Sequence, residues 1–168
     1  MTPVSASTIE QLVNAYLTTH APLFPVLSRA DFLVTKPLDP LLLWNICGVA
    51  AMTPQVPEYV LRTIKMNIAL VSKEVDQTSR SEIQTIQALL MFAVSGESER
   101  GMIGTKVWNS LGLAIRMAQD LGLHREADAG KGKDRHYLEM RRRLWGGCLI
   151  ADRWISAIVS CLNLEEGS

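Results

Sequence analysis

Apolar residues recur along this chain at spacings of three and four, the period of helices with one buried face. Ile9, Leu12, Val13, Tyr16 and Leu17 share one side of a first helix. Ser7-Thr8-Ile9-Glu10 fits a capping box, with Ser7 as N-cap and Glu10 at N3. This helix should end near His20, because Pro22 and Pro25 cannot extend it. His20-Ala21-Pro22-Leu23-Phe24-Pro25-Val26-Leu27 then reads as an extended apolar connector with Leu23, Phe24 and Leu27 turned inward. Ser28 is placed to cap a short helix containing Phe32.

Asp39-Pro40 is a helix-start signal, a capping carboxylate followed by proline at N1. The helix it opens runs from Leu41 to about Met52 and is apolar on nearly every side, which puts it in the middle of a core. Pro54 and Pro57 end it and open the next helix, which reaches about Val75. Thr78-Ser79-Arg80-Ser81 is a polar break, and Ser81 or Ser79 can cap a helix with Ile83, Ile86, Leu90 and Val94 inside. Gly96 to Gly101 reads as a loop. Ile103, Val107, Leu111, Ala114, Ala118 and Leu121 form one stripe on a helix from roughly Gly104 to Leu121. Gly122 stands where a left-handed C-cap is wanted. After a polar, glycine-containing loop over residues 126 to 135, a last helix runs from about His136 to near Cys161. No stretch alternates apolar and polar residues long enough for a strand, and no repeat period is visible. The pattern predicts an all-α fold, an irregular bundle of packed helix pairs.

Composition sharpens this picture mainly by exclusion. The 168 residues suit one domain, or most of one. An apolar fraction of 48% is too high for a disordered chain. Seventeen basic residues balance seventeen acidic ones, and neither half of the chain has the charge excess of an autonomous nucleic-acid binder. Leu144 to Leu164 is long enough to invite a membrane reading, but Asp152 and Arg153 at its centre make it a buried helix of a soluble fold instead. Cys47, Cys148 and Cys161 lack Cys-x-x-Cys spacing and read as small buried apolar residues of a reducing compartment. The N-terminus has no basic region and no apolar run of a secretion signal.

Candidate chemistry is sparse. Phosphate loops, Gly-x-Gly-x-x-Gly and Gly-x-Ser-x-Gly are missing. His20, His124 and His136 stand far apart with no second ligand at metal spacing. No catalytic residue, metal site or enzyme activity is therefore expected. Lys131, Lys133, Arg135, Arg141, Arg142 and Arg143 form a basic run, interrupted by Asp134 and Glu139. Consecutive helical arginines diverge by about 100° and cannot build one recognition face. Glu139 is spaced to pair with Arg142 and Arg143, so the run reads as a salt-bridged helix entry.

Two segments carry a resemblance. One is Trp108 to Arg125, WNSLGLAIRMAQDLGLHR, and the other is Glu139 to Ser156, EMRRRLWGGCLIADRWIS. Together they resemble the middle homology, or xylanolytic activator-type, regulatory domain of fungal zinc-cluster transcription factors. The connector His20 to Leu27, the small-residue helix Leu41 to Ala51 and the Gln-Ala-Leu-Leu stretch Ile86 to Leu90 resemble upstream parts of that domain in the same order. The resemblance covers about residues 8 to 156. It implies that residues 1–168 form a partial regulatory domain in a nuclear regulator of RNA polymerase II transcription. It also implies that zinc and DNA are bound by an N-terminal six-cysteine module that these residues do not contain, leaving this chain without a cofactor of its own.

The residues singled out on the two segments are Trp108, Arg116, Asp120, His124, Arg125, Glu139, Arg142, Arg143, Trp145, Asp152 and Arg153. As scaffold, Trp108, Trp145 and Trp154 should supply large buried area, and Gly112, Ala114 and Ala118 should let helices approach. Arg116 and Asp120 lie one turn apart. Asp152 and Arg153 should be paired, because a lone buried charge is costly. As function, the polar groups of the two helices would line a regulatory pocket. After Ser156 the chain departs from the family's Gly-Arg-Pro continuation, so the domain is expected to be truncated, to expose an apolar patch and to associate. Partners implied are other proteins or a full-length relative, and possible ligands include a small-molecule effector. The alternatives are a free-standing helical protein that dampens a full-length relative, and a small-molecule-binding helical module.

Overall fold

The first helix, α1, spans Ala6–Ala15 and begins two residues before the expected site. Ser5 is the N-cap in place of Ser7: its Oγ accepts the Thr8 N–H at 3.1 Å and its carbonyl accepts the Ile9 N–H. The last turn widens into a π-turn over Tyr16–His20, closed by the Ala21 N–H on the Tyr16 carbonyl. Thr18 and Thr19 explain the widening. Their hydroxyls donate to the carbonyls of Asn14 and Ala15, which competes with the ordinary ladder. Pro22 then removes the next donor. These coordinates, a computed structural model, describe residues 3–34, 37–74, 81–95, 98–99, 102–103, 105–125 and 134–165.

The connector is turned rather than extended. Leu23 and Phe24 N–H groups both donate to the His20 carbonyl, so the chain folds back on α1. That turn points Leu23 outward, 82% exposed, and brings Val26 and Leu27 into the core. Helix α2 follows at Arg29–Val34, with Ser28 at its start as expected.

Helix α3, Pro40–Ala50, is capped by Asp39, whose Oδ1 accepts the N–H groups of Leu41 and Leu42. It is buried nearly all round, through Leu41, Leu42, Trp44, Ile46, Cys47 and Ala50. Helix α4 spans Glu58–Glu74 and α5 spans Ile83–Ser95. The α5 ladder starts with the Ile86 N–H on the Glu82 carbonyl, which places the cap one residue past Ser81; Ser79 lies outside the described residues. This helix too is enclosed on most sides, with Ile86, Leu90 and Met91 fully buried. The structure thus has two central helices where the hydropathy pattern singled out one.

Ser98–Glu99 (β1), inside the expected 96–101 loop, pairs antiparallel with Met102–Ile103 (β2), just beyond it, in a two-residue ribbon. Helix α6 covers Thr105–Asp120 and buries Val107, Leu111, Ala114 and Ala118 of the stripe foreseen from spacing, while Ile103 falls in β2 and Leu121 lies half-buried just past the helix end. Helix α7, Arg135–Glu165, starts at Asp134, whose Oδ1 accepts the His136 N–H. It buries one stripe: Met140, Leu144, Cys148, Ala151 and Ile155.

The packing order follows from these faces. Helix α3 contacts α1, α4 and α5, while α5 contacts α3, α6 and α7. The all-α, helix-on-helix architecture is as expected, apart from the short ribbon. Close approach, however, is provided by other glycines. Gly112 faces open space, whereas a Cβ at Gly147 would lie 2.6 Å from Val26 Cγ1.

Candidate functional site

The two motif segments meet at the α6–α7 junction. Helix α6 ends in a left-handed glycine, Gly122, at φ 67°. The Leu123 N–H donates to the Ala118 carbonyl and the Gly122 N–H to that of Gln119, the paired bonds of a Schellman cap. The Gly122 carbonyl accepts the Arg125 N–H and, at 2.6 Å, Arg141 Nη2. The guanidinium therefore sits at the negative end of α6. It also lies over the Tyr137 ring, 5.8 Å from its centre. One turn further along α7, Trp145 is half-buried and meets the His124 ring at 5.8 Å.

The three consecutive arginines go three ways, as the 100° step requires. Arg141 caps α6, Arg142 is exposed, and Arg143 reaches across to α2. Arg143 Nη2 donates to both carboxylate oxygens of Asp31 at 2.9–3.0 Å. Asp31 is 3% exposed. Its Oδ2 also accepts the Ser28 N–H and hydroxyl, both at 2.7 Å, while Ser28 Oγ accepts the Asp31 N–H. This is a reciprocal capping box with aspartate at N3. His136 Nε2 stands 3.1 Å from Asp31 Oδ1. Burial alone would raise the Asp31 carboxyl, but the Ser28 hydrogen bonds and the Arg143 guanidinium together hold it below the usual carboxylate range. The same environment pushes the nearby Tyr16 hydroxyl upward, first through burial and then through the Asp31 charge.

Several expected contacts give way to these. Glu139 joins neither Arg142 nor Arg143, and Arg143 Nε meets only the Glu139 carbonyl at 3.4 Å. The buried Asp31 is the stronger partner, because a charge in a drier site attracts more strongly. Arg116 donates to Gln119 at 3.2 Å rather than to Asp120, which is exposed. Trp108 and Trp154 are 50% and 47% exposed, so they add less buried area than expected. Asp152 is half-buried and Arg153 exposed, both off the buried stripe of α7, and the demand for a buried pair does not arise.

The candidate residues read from the sequence did not include Asp31, Gln87, Arg141 or Gly147, yet Arg141 joins the two motif segments and the other three tie α2, the connector, α5 and α7 together. Gln87 Nε2 donates to the buried Val26 carbonyl at 2.9 Å, which fastens the connector to α5. Gly147 admits Val26 from the other side. The Ser28-x-x-Asp31 spacing is the one signal that carried Asp31, as a capping box with a shorter acid. Cys47 and Cys148 are buried free thiols, as expected, and burial pushes each up to about 12. Cys161 lies outside the residues whose side chains are described, as do Lys131 and Lys133. Among the described residues no group of three or more His, Cys, Asp or Glu could hold a metal ion, and no helix is long and apolar enough to cross a membrane.

Comparison with known proteins points the same way as the motif segments. The fungal specific transcription factor domain family matches residues 13–163. An uncharacterized transcriptional regulatory protein of Schizosaccharomyces pombe is 32% identical over 120 residues, covering 68% of this chain and 19% of the relative. A TY1 enhancer activator of Saccharomyces cerevisiae is 31% identical over 142 residues, covering 76% of this chain and 17% of the relative. The chain thus spans under a fifth of the length of these curated relatives. No solved structure matches it. With the family model matching residues 13–163, most of its length, the chain belongs to the fungal specific transcription factor domain family.

Proposed function

We propose that this chain is the regulatory part of a fungal zinc-cluster transcription factor, acting in the nucleus on RNA polymerase II transcription and not as an enzyme. Residues 1–168 make up part of that regulatory domain, and zinc and DNA contact belong to a separate six-cysteine module. The observation that carries the reading is the family match over residues 13–163, supported by 31–32% identity to a transcriptional regulatory protein and an enhancer activator. The residues assigned to the regulatory unit are Trp108, Arg116, Asp120, His124, Arg125, Glu139, Arg142, Arg143, Trp145, Asp152 and Arg153. The α6–α7 junction is held by Arg141 on Gly122, and α7 is tied to α2 by Arg143 on Asp31.

Protein contact is the mode of action the surface favours. Leu149, Ile150 and Trp154 are exposed on α7, with Arg153 beside them. An apolar group with a charged neighbour on one helix face suits a protein partner. The test is a tethered reporter. The chain is placed between a heterologous DNA-binding module and a constitutive activation region, and reporter output is compared with a length-matched flexible spacer. The expected result is a several-fold change in output that Ile150→Asp with Trp154→Ala abolishes. Equal output from chain and spacer would sink the proposal.

A further inference from the structure

A cleft of about 530 Å³ lies between α4 and α6, with α3 and α5 beneath it. That size falls inside the range of about 300–1,000 Å³ typical of small-molecule sites. Its origin is topological. Helix α4 packs on α3 and α6 packs on α5, so the two outer helices stand as walls over a floor made by the central pair.

The floor is apolar, with Leu41 from α3 and Ala88, Leu89 and Phe92 from α5. Gly48 keeps it low where α3 passes under α4: a Cβ there would stand 3.1 Å from Ile68 Cδ1. Phe92 on the floor and Leu61 and Ile68 on the α4 wall are only half-buried, so apolar surface is left facing the opening. None of the described α3 and α5 residues lining the cleft is charged. Lys65, Lys73 and Lys106 belong to the two walls, where they are exposed, and Lys65 already has a partner.

Among the described residues lining the cleft, Asn45 is the one buried polar side chain, at 3% exposed. Its Nδ2 donates to the Leu41 carbonyl at 2.8 Å. A carbonyl can only accept, so this bond fixes which way the amide points and leaves Oδ1 as its unused acceptor. No donor from the described residues reaches Oδ1. Among those residues the sealed-in side-chain atoms without a partner are Tyr16 Oη and Gln87 Oε1, and Asn45 Oδ1 is not one of them. An acceptor that is neither bonded nor sealed in opens outward, and the opening beside Asn45 is this cleft.

We propose that this cleft binds an uncharged, mainly apolar small molecule carrying a hydroxyl or N–H donor, with its body on Leu89 and Phe92 and its donor on Asn45 Oδ1. A charged group laid on that floor would give up its water against Leu89 and Phe92, which is costly. A ligand without a donor would leave Oδ1 covered and unpaired. Binding is a property of this chain by itself; the regulatory reading bears only on its consequence, effector control.

The test is equilibrium dialysis of the 168-residue chain against 2-naphthol and 2-methylnaphthalene, which share a ring body and differ by a hydroxyl in place of a methyl group. Saturable one-to-one binding of 2-naphthol is expected. Asn45→Leu removes the acceptor at similar volume, and the ratio of the two affinities should then shift by at least about fivefold toward 2-methylnaphthalene, the margin of one net hydrogen bond. Comparing ratios cancels the difference in hydrophobicity between the probes. Ala69→Trp, on the exposed α4 wall, should block both probes. Circular dichroism checks that both variants fold. If Asn45→Leu does not, the parent ratio is compared with partition of the same pair from water into cyclohexane, which offers no acceptor. The parent should then favour 2-naphthol by at least about fivefold more than cyclohexane does. No saturable binding of 2-naphthol, an unchanged ratio in Asn45→Leu, a parent ratio equal to that of cyclohexane, or full binding to a folded Ala69→Trp chain would each overturn the proposal. A failed dialysis leaves the tethered-reporter reading standing, and a silent reporter leaves positive dialysis standing.

Discussion

Two adjacent glycines on α7 should respond to alanine in opposite directions. Both lie within a continuous helix, so each substitution gains about 0.8–1.0 kcal/mol of helix propensity. Gly146 has nothing within 4 Å of where its Cβ would stand, so Gly146→Ala should stabilise by nearly that full amount. At Gly147 the new Cβ would meet Val26 Cγ1 at 2.6 Å, with Phe24 Cζ and Leu90 Cδ1 behind it. Carbon atoms prefer about 3.5–4.0 Å, so roughly 1 Å of opening is required. Val26 cannot supply it cheaply. It is buried, stiff at χ1, and its carbonyl is held by Gln87. Overpacking of this kind costs about 1–3 kcal/mol, and a rigid neighbour puts it near the top of that range. After subtracting the propensity gain, Gly147→Ala should lose about 2 kcal/mol, leaving the pair about 3 kcal/mol apart. Urea melts of the two variants and the parent chain measure this directly. In thermal melts the same gap is about 6–12 °C. If both variants shift the same way, or differ by less than about 1 kcal/mol, then α7 does not seat on the connector as described.

Asp31→Ala strips Arg143 and the α2 cap of their shared acceptor and should cost about 3 kcal/mol in a urea melt, the low end for a broken buried pair because Arg143 keeps some exposure. The pH dependence has a definite sign. The Asp31 carboxyl is lowered in the folded state, so its contribution is present above the ordinary aspartate range and is lost as pH falls through the folded value. Melts of the parent chain should weaken over that acidic window, and Asp31→Asn should flatten that part of the profile; an unchanged profile would remove Asp31 from the account. Gly122→Ala forces a side chain into φ 67° and should cost about 1–2 kcal/mol, read by the same melts. Cys47 and Cys148, pushed up to about 12, should resist iodoacetamide at pH 8 while the chain is folded and react in urea, with mass spectrometry locating the label; fast labelling of either in the native chain would contradict its burial.

Much of the helical layout was legible because it is written locally. The Asp39-Pro40 start, the α6 stripe and the Gly122 stop each depend on residues within a few positions of one another. Where local signals competed, the reading slipped. Ser7-Thr8-Ile9-Glu10 reads as a capping box, yet Ser5 caps α1 two residues earlier. Leu23 looks inward in an extended strand and points outward in a turn. Of the candidate site, the pairing of the two motif segments was readable as a unit, but the contacts that make it one were not. Arg143 had Glu139 one turn away and bonds Asp31 instead, 112 positions distant in sequence.

The sequence by itself determined the all-α class, most helix boundaries and the family, since periodicity, capping and motif order are properties of neighbouring residues. The tertiary structure alone decided which charges pair, which glycine is indispensable and where a cleft lies. Each of those depends on the distance between segments far apart in the chain. Asp31 and Arg143 compete for partners in a drier environment that exists only after α2 and α7 pack. Gly146 and Gly147 are indistinguishable until Val26 arrives beside one of them. The lysines of α4 and α6 share a trough only because α3 and α5 hold their helices apart.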